Sequence, residues 1–225
     1  MPSLVRRSAV VFDLDGTLVD TAGDLTAALN VVLARRGRGA VAPETIRTMI
    51  GDGAKTLVRR GLDATGGPID DADFDAAVGE FLAYYDDNIA QHSRPFPGLV
   101  ETLAVLARQG CVFGVCTNKA ERFSVKLLRH LGLADHFAVV LGGDSLAIRK
   151  PDPRHLLATI TGMGAVPERA VMVGDSVNDV KAARAAGVPV IAVSFGYTAT
   201  PPAALGADAL IDHLAELPDA LTRLA

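Results

Sequence analysis

The sequence has no tryptophan, only two cysteines, and five lysines against seventeen arginines. Aromatic residues make up 5% of the chain. With a net charge of −4 and a pI near 5.7, nothing draws it toward nucleic acid or an anionic membrane by long-range attraction. Neither a basic patch nor an aromatic-rich sheet pattern is present, which argues further against a nucleic-acid partner. Any anion site must therefore be local. Cys111 and Cys116 are five residues apart in one apolar run. In an extended strand that odd spacing puts them on opposite faces, which argues against a disulfide between them. With no CxxC pair, the two read as buried structural thiols in a reducing, cytoplasmic setting. Long apolar runs are also missing. Arg6 and Arg7 precede only Ala9–Phe12 before Asp13 interrupts, whereas a secretory leader needs about 7–15 apolar residues. No other stretch is long and apolar enough for a membrane span. The five histidines show no HxH or HExxH spacing, so they read as surface or helix-end residues rather than metal ligands. A GxxxxGK[ST] loop and a dinucleotide-type glycine triplet are both absent, and Gly51-Asp52-Gly53 is too short for a nucleotide loop.

What is present is a chain of 225 residues, 49% hydrophobic and 21% charged, enough for one large domain or a core with an inserted smaller one. Short apolar runs recur at Ala9–Phe12, Val112–Thr117, Ala138–Leu141, Ala170–Val173 and Val188–Val193. They do not alternate with polar residues, so they suit strands covered on both faces of a parallel sheet. Helical patterns at Val100–Gln109, Glu121–Leu131, Arg154–Thr161 and Val177–Ala186 separate them. This order predicts a doubly wound α/β domain. Between Thr21 and Ser93 no strand is expected. Leu25, Leu29, Val32 and Leu33 recur at helical spacing, as do Phe74, Val78, Phe81, Leu82 and Tyr85. We expect a helical insertion there, with a turn at Gly66-Gly67-Pro68 and a return linker at Pro95–Gly98.

Four segments carry chemistry, each directly after an apolar run or in the loop beyond one. Asp13-Leu14-Asp15-Gly16-Thr17 puts two carboxylates where parallel sheets bind ligands, outside the carboxyl ends of strands. Asp13 is suited to attack phosphorus, and Asp15 to protonate a leaving oxygen and then activate water. An Asp-Gly turn capping a strand accounts for the same letters. Gly174-Asp175-Ser176-Val177-Asn178-Asp179 repeats the placement, and its carboxylates lie one helical turn apart. Magnesium takes oxygen ligands from one or two carboxylates plus substrate phosphate. Asp13, Asp175 and the backbone carbonyl of Asp15 compose such a site, while helix capping by Asp175 or Ser176 is the plainer alternative. Thr117-Asn118-Lys119 offers a hydroxyl and a helix start for a phosphate, or an ordinary helix cap. Lys150, ahead of Pro151 and Pro153, is placed to neutralise phosphoryl charge, or is a solvated lysine before a turn. Their joint occurrence in this order makes coincidence improbable.

As a set, Asp13–Thr17, Thr117, Lys150 and Gly174–Asp179 resemble the motifs of the haloacid dehalogenase-like hydrolase superfamily. Met49–Arg60, Thr117–Lys119, Gly142–Asp144 and Phe195–Tyr197 resemble its phosphoglycolate phosphatase branch. Two departures stand out: Asp52 where that branch often has asparagine, and Thr198 where asparagine commonly follows Gly-Tyr. The resemblance implies a Rossmann-like core of residues 1–20 plus 94–225 and a helical cap over 21–93. It implies Asp13 as nucleophile, Asp15 as acid then base, Thr117 and Asn118 holding the phosphoryl group, and Lys150 neutralising charge. It places Mg2+ on Asp13, the Asp15 carbonyl and Asp175, with Asp179 behind them. The expected partner is a small phosphorylated metabolite, most readily 2-phosphoglycolate in carbohydrate metabolism, with the protein a monomer or homodimer. Lys55 and Arg59, four apart on one prospective helix face, are candidates for a substrate carboxylate, or else a solvated face. Asp15 argues against a dehalogenase or phosphonatase. The absence of histidine from Thr21–Leu25 argues against a phosphosugar mutase. A pyrophosphatase or broad small-metabolite phosphatase is the enzymatic alternative. A silent binding protein would be expected to have lost one of these residues.

Overall fold

The structure is a computed structural model that describes residues 8–224; Arg6 and Arg7 lie outside the described residues. Numbered along the chain, the strands are β1 (Ala9–Phe12), β2 (Val19–Asp20), β3 (Arg94–Pro95), β4 (Val112–Cys116), β5 (Val139–Leu141), β6 (Ala170–Gly174), β7 (Val190–Val193) and β8 (Ala209–Ile211). The helices are α1 (Ala22–Arg35), α2 (Pro43–Arg47), α3 (Ala54–Ala64), α4 (Asp71–Asp87), α5 (Leu99–Arg108), α6 (Glu121–His130), α7 (Pro153–Gly162), α8 (Val177–Ala186) and α9 (Leu217–Arg223).

Six strands form one sheet in the order β5-β4-β1-β6-β7-β8, every pair parallel. The sheet is buried on both faces because its strands carry apolar side chains at both parities. Val10, Phe12, Phe113, Val115, Val171, Val173, Ile191 and Val193 pack in one cluster. Ala9, Val11, Cys116, Ala170, Met172, Val190 and Ala192 pack in the other. Fully burying a side chain such as Val or Phe contributes about 1.5–3 kcal/mol, so both layers are held by the sequence pattern itself. Cys111 falls in the first cluster and Cys116 in the second, and burial pushes the thiol of Cys116 up to about 11. The doubly wound core is thus as the apolar runs predict. The chain order reverses between β1 and β6, and that switch point is where such sheets bind ligands.

Between β2 and β3 the chain is helical, α1 to α4. Leu25, Leu29, Val32 and Leu33 of α1 meet Phe74, Val78, Phe81 and Tyr85 of α4 in the same cluster that reaches the sheet. Tyr85 stands edge-on to Phe123 of α6, with ring centroids 5.5 Å apart, so the helical segment is seated on the core.

Four details differ from the sequence reading. Pro95, the first residue of the expected return linker, and Arg94 before it pair antiparallel with Val19 and Asp20, a ladder too short to leave any periodicity. β7 begins at Val190 rather than Val188, because Pro189 has no N–H to donate and contributes only its carbonyl, to Met172 at 2.9 Å. β8 was not expected: of its three residues only Ile211 is buried. His155 lies in the first turn of α7, as a helix-end residue, but is wholly buried rather than exposed, and burial pushes its pKa down to about 4.

Candidate active site

The carboxyl ends of β1, β4 and β6 converge with the loop before α7. Asp13 follows β1 and is held by a backbone hydrogen bond to Val173 at 2.9 Å; its Oδ1 accepts the Leu14 N–H at 2.7 Å. Asp175 follows β6. Its Oδ1 accepts from the Thr17 hydroxyl at 3.1 Å, and its Oδ2 from the Tyr197 N–H at 2.6 Å. Asp179 closes a capping box at the start of α8, its Oδ2 accepting from Ser176 N–H at 2.9 Å and Ser176 Oγ at 2.7 Å. The helix-capping alternative is therefore real for Ser176, with Asp179 its reciprocal partner, and Asp179 also belongs to the carboxylate cluster with Asp13 and Asp175.

Lys150 joins these groups. Its Nζ lies 2.9 Å from Asp13 Oδ1 and 2.7 Å from Asp179 Oδ1, and it is 2% exposed, which rules out the solvated reading. Burial works against its charge, but Asp13 and Asp179 more than offset that and raise its pKa. Oxygens of Asp13, Asp175 and Asp179 all lie within 4.8 Å of one another. Three buried carboxylates thus cluster together, and one ammonium pairs with two of them, Asp13 and Asp179. Burial raises the pKa of Asp13 to about 6, against the pull of Lys150 and with the help of Asp179. Burial, then the charges of Asp13 and Asp179, raise Asp175 well above the ordinary range. An all-oxygen pocket with surplus negative charge fits a hard divalent cation. Asp179 belongs to this oxygen cluster directly, whereas the Asp15 side chain is outside it.

Asp15 points elsewhere. Its Oδ1 accepts from the Thr21 hydroxyl at 2.7 Å and pairs with Lys119 at 3.0 Å. Lys119 also lies 4.5 Å from the centre of the Tyr85 ring. Burial opposes its charge, and Asp15 with Tyr85 outweighs that to raise its pKa. The sequence reading did not assign Lys119 a place in the site. The signal available was the chain's scarcity of lysine, since two of the five fall in strand-end loops.

A cavity of about 410 Å³ opens above these residues, between core and helical segment. Asp13, Asp15, Thr117, Asn118 and Lys119 line its floor, and Leu25, Val78, Phe81, Leu82 and Tyr85 its opposite wall. Thr117 is buried, its Oγ1 accepting from Lys119 N–H at 3.2 Å. The Asn118 amide donates to Gly51 O and Lys150 O, each at 3.0 Å, so its side chain ties loops together. Lys55 lines the cavity, as does Arg149. Arg59, one turn further along α3, is not among the lining residues; its guanidinium lies 3.6 Å from the Phe74 ring centre.

Residues 10–193 match the haloacid dehalogenase-like hydrolase family. A phosphoglycolate phosphatase of Agrobacterium fabrum is 44% identical over 98% of this chain and 95% of its own length. One of Caulobacter vibrioides is 45% identical over 98% and 93%. Among solved structures, a predicted phosphoglycolate phosphatase from Haemophilus somnus superposes with a TM-score of 0.91 at 31% identity, covering 97% of this chain and 99% of that one.

Proposed function

The chain belongs to the haloacid dehalogenase-like hydrolase family, and from that premise we propose that it is a phosphomonoesterase acting through a phosphorylated Asp13, with 2-phosphoglycolate as substrate. The observation that carries this reading is the single buried cluster of Asp13, Lys150, Asp175 and Asp179 at the sheet's switch point, opening onto one cavity. The division proposed is a core of residues 1–20 plus 94–225 under a cap of 21–93.

In the first step an Asp13 carboxylate oxygen attacks phosphorus. The bond from phosphorus to the ester oxygen breaks, and Asp15 gives that oxygen its proton, releasing the alcohol. In the second step Asp15 takes a proton from water as the water oxygen attacks phosphorus. The bond to Asp13 then breaks, releasing inorganic phosphate and restoring the Asp13 carboxylate and the protonated Asp15 carboxyl. Thr117 Oγ1 and the backbone N–H of Asn118 bind the phosphoryl oxygens. Lys150 offsets the charge on Asp13 and on the phosphoryl group. Asp13, Asp175 and the Asp15 carbonyl would hold Mg2+, with Asp179 orienting the set. The ion, when bound, supplies positive charge against the phosphoryl oxygens. Lys119 fixes the Asp15 carboxyl against the Tyr85 wall, at the mouth of the leaving-group side. The cap excludes bulk water while the phosphorylated aspartate exists.

A cavity of about 410 Å³ exceeds what a two-carbon phosphoester fills, which favours a broad small-metabolite phosphatase as the second reading. Phosphate release from 2-phosphoglycolate, pyrophosphate, sugar phosphates and an aryl phosphate, with magnesium or chelator, separates the two. The proposal expects magnesium-dependent turnover, led by 2-phosphoglycolate and abolished by Asp13→Asn. A flat profile keeps the mechanism and discards the substrate. Turnover surviving in Asp13→Asn overturns the mechanism.

A further inference from the structure

Asp52 is one of the two residues by which this chain departs from the pattern it otherwise resembles, and the mechanism does not use it. It stands at the tip of the loop leading into α3, between Gly51 at φ 117° and Gly53 at φ 85°. Both values lie in the left-handed region that side chains avoid, so the two glycines permit a sharp turn around a single carboxylate. That carboxylate bridges the helical segment and the core. Its Oδ1 accepts from Asn178 Nδ2 at 2.8 Å, across 126 residues of sequence. Its Oδ2 accepts from Arg60 Nη2 at 2.5 Å. The neighbouring Gly51 carbonyl accepts from Asn118 Nδ2 at 3.0 Å and from Asn178 Nδ2 at a longer 3.4 Å. Two asparagines, one after β4 and one in the first turn of α8, therefore grip one loop. That loop bounds the cavity above Asp13.

The charge of Asp52 belongs to this arrangement. Burial works against it, but the Asn178 bond, Arg60 and the nearby Arg149 hold its carboxyl below the usual range. Asparagine at position 52 would keep an acceptor for Asn178 and give up the ion pair with Arg60. Asn178 is also bonded in sequence to Asp179 and lies three residues from Asp175, so the position of the loop is transmitted to the carboxylates through one turn of helix.

We propose that Asp52 and Asn178 form a clasp that holds the 51–53 loop shut over the cavity, and that Asn178 is a positioning residue for the closed state. The catalytic consequence rests on the reading of Asp13 as nucleophile; the clasp itself does not. The test is a charge-swap series: Asn178→Asp, Asp52→Asn and the double variant. Two readouts serve, amide hydrogen exchange over residues 51–57 and kcat/KM for phosphoester hydrolysis, with melting temperature as a check on folding. Asn178→Asp sets two carboxylates face to face. It is expected to speed exchange in this loop, and lower kcat/KM, by about tenfold each. Asp52→Asn alone stays within about threefold of wild type. In the double variant the donor and acceptor trade sides, and both readouts return to within about threefold of wild type. If the double variant is no better than Asn178→Asp, the new carboxylate acts through Asp175 and Asp179 beside it, and the clasp is wrong. Unchanged exchange in Asn178→Asp overturns it as well. A wild type that hydrolyses no phosphoester would sink the catalytic reading, while exchange would still decide the clasp.

Discussion

Lys150 stands 2.7 Å from Asp179 with both side chains shut away from solvent, and its remaining charge partner is Asp13 at 2.9 Å. A buried ammonium with two carboxylates is costly to disturb from either side, because removing one partner strands the others. Lys150→Met leaves Asp13, Asp175 and Asp179 with no cation among the groups that face them. Its kcat is expected to fall at least about a hundredfold, and its unfolding free energy by about 3 kcal/mol at neutral pH. Urea titration and steady-state assay check the two numbers. Loss of activity at unchanged stability would mean that Lys150 does not anchor the cluster.

The same cluster predicts a pH-dependent response to metal. Asp13 has an ordinary value of 3.8 and stands at about 6 in the folded protein. A raised carboxyl binds more protons folded than unfolded between those values, so its contribution to stability falls as pH rises from about 4 to 6. A divalent cation needs the deprotonated carboxylates and competes with protons there. The rise in melting temperature on adding Mg2+ should thus be small at pH 5 and grow through pH 7. Comparison with and without the ion at each pH cancels the groups that do not touch it. A shift independent of pH would separate metal binding from Asp13.

Much of this was legible in the sequence, for a physical reason. Strands buried on both faces must be apolar at every position, so β1, β4 and β6 announce themselves, and the carboxylates after them fall at the ligand-binding ends. β8 gave no such signal because only Ile211 turns inward. β2 and β3 are two residues each, shorter than any period. Within the site, sequence could place Lys119 and Lys150 in strand-end loops but not say which carboxylate each meets. The Lys119–Asp15 contact spans 104 residues, and such pairings are decided by the sheet order. The Asn178–Asp52 contact spans 126 residues and is hidden from the sequence for the same reason.

Tyr197 ties the start of the helical segment to the core. Its hydroxyl bonds the Asp20 carboxylate and accepts the N–H groups of Thr21 at 2.7 Å and Ala22 at 3.0 Å. Its own N–H holds Asp175. Tyr197→Phe keeps the ring and the backbone bond to Asp175 but strands the buried N–H of Thr21 and leaves that of Ala22 only its longer 3.3 Å bond to Asp20. The expected cost is about 1–3 kcal/mol by urea unfolding, with increased amide exchange at Thr21 and Ala22. A variant as stable as wild type would show that water replaces the hydroxyl.

Lys55 and Arg59 share one helix, and the structure separates their surroundings. Lys55 lines the cavity; Arg59 covers the Phe74 ring, a contact worth about 0.5–1 kcal/mol where solvent reaches it. If the substrate carries a carboxylate toward the cap, Lys55→Ala raises KM for 2-phosphoglycolate about tenfold. It leaves KM for ethyl phosphate, which has no carboxylate, unchanged. Arg59→Ala is expected to do the reverse, lowering stability by about 0.5–1 kcal/mol and leaving both KM values alone. The comparison of the two esters matters more than either value. A general loosening of α3 moves both esters together, whereas recognition of a carboxylate moves only one. Equal effects of Lys55→Ala on the two would remove Lys55 from substrate binding and leave Arg149 as the remaining cavity cation with no ion pair among the described residues.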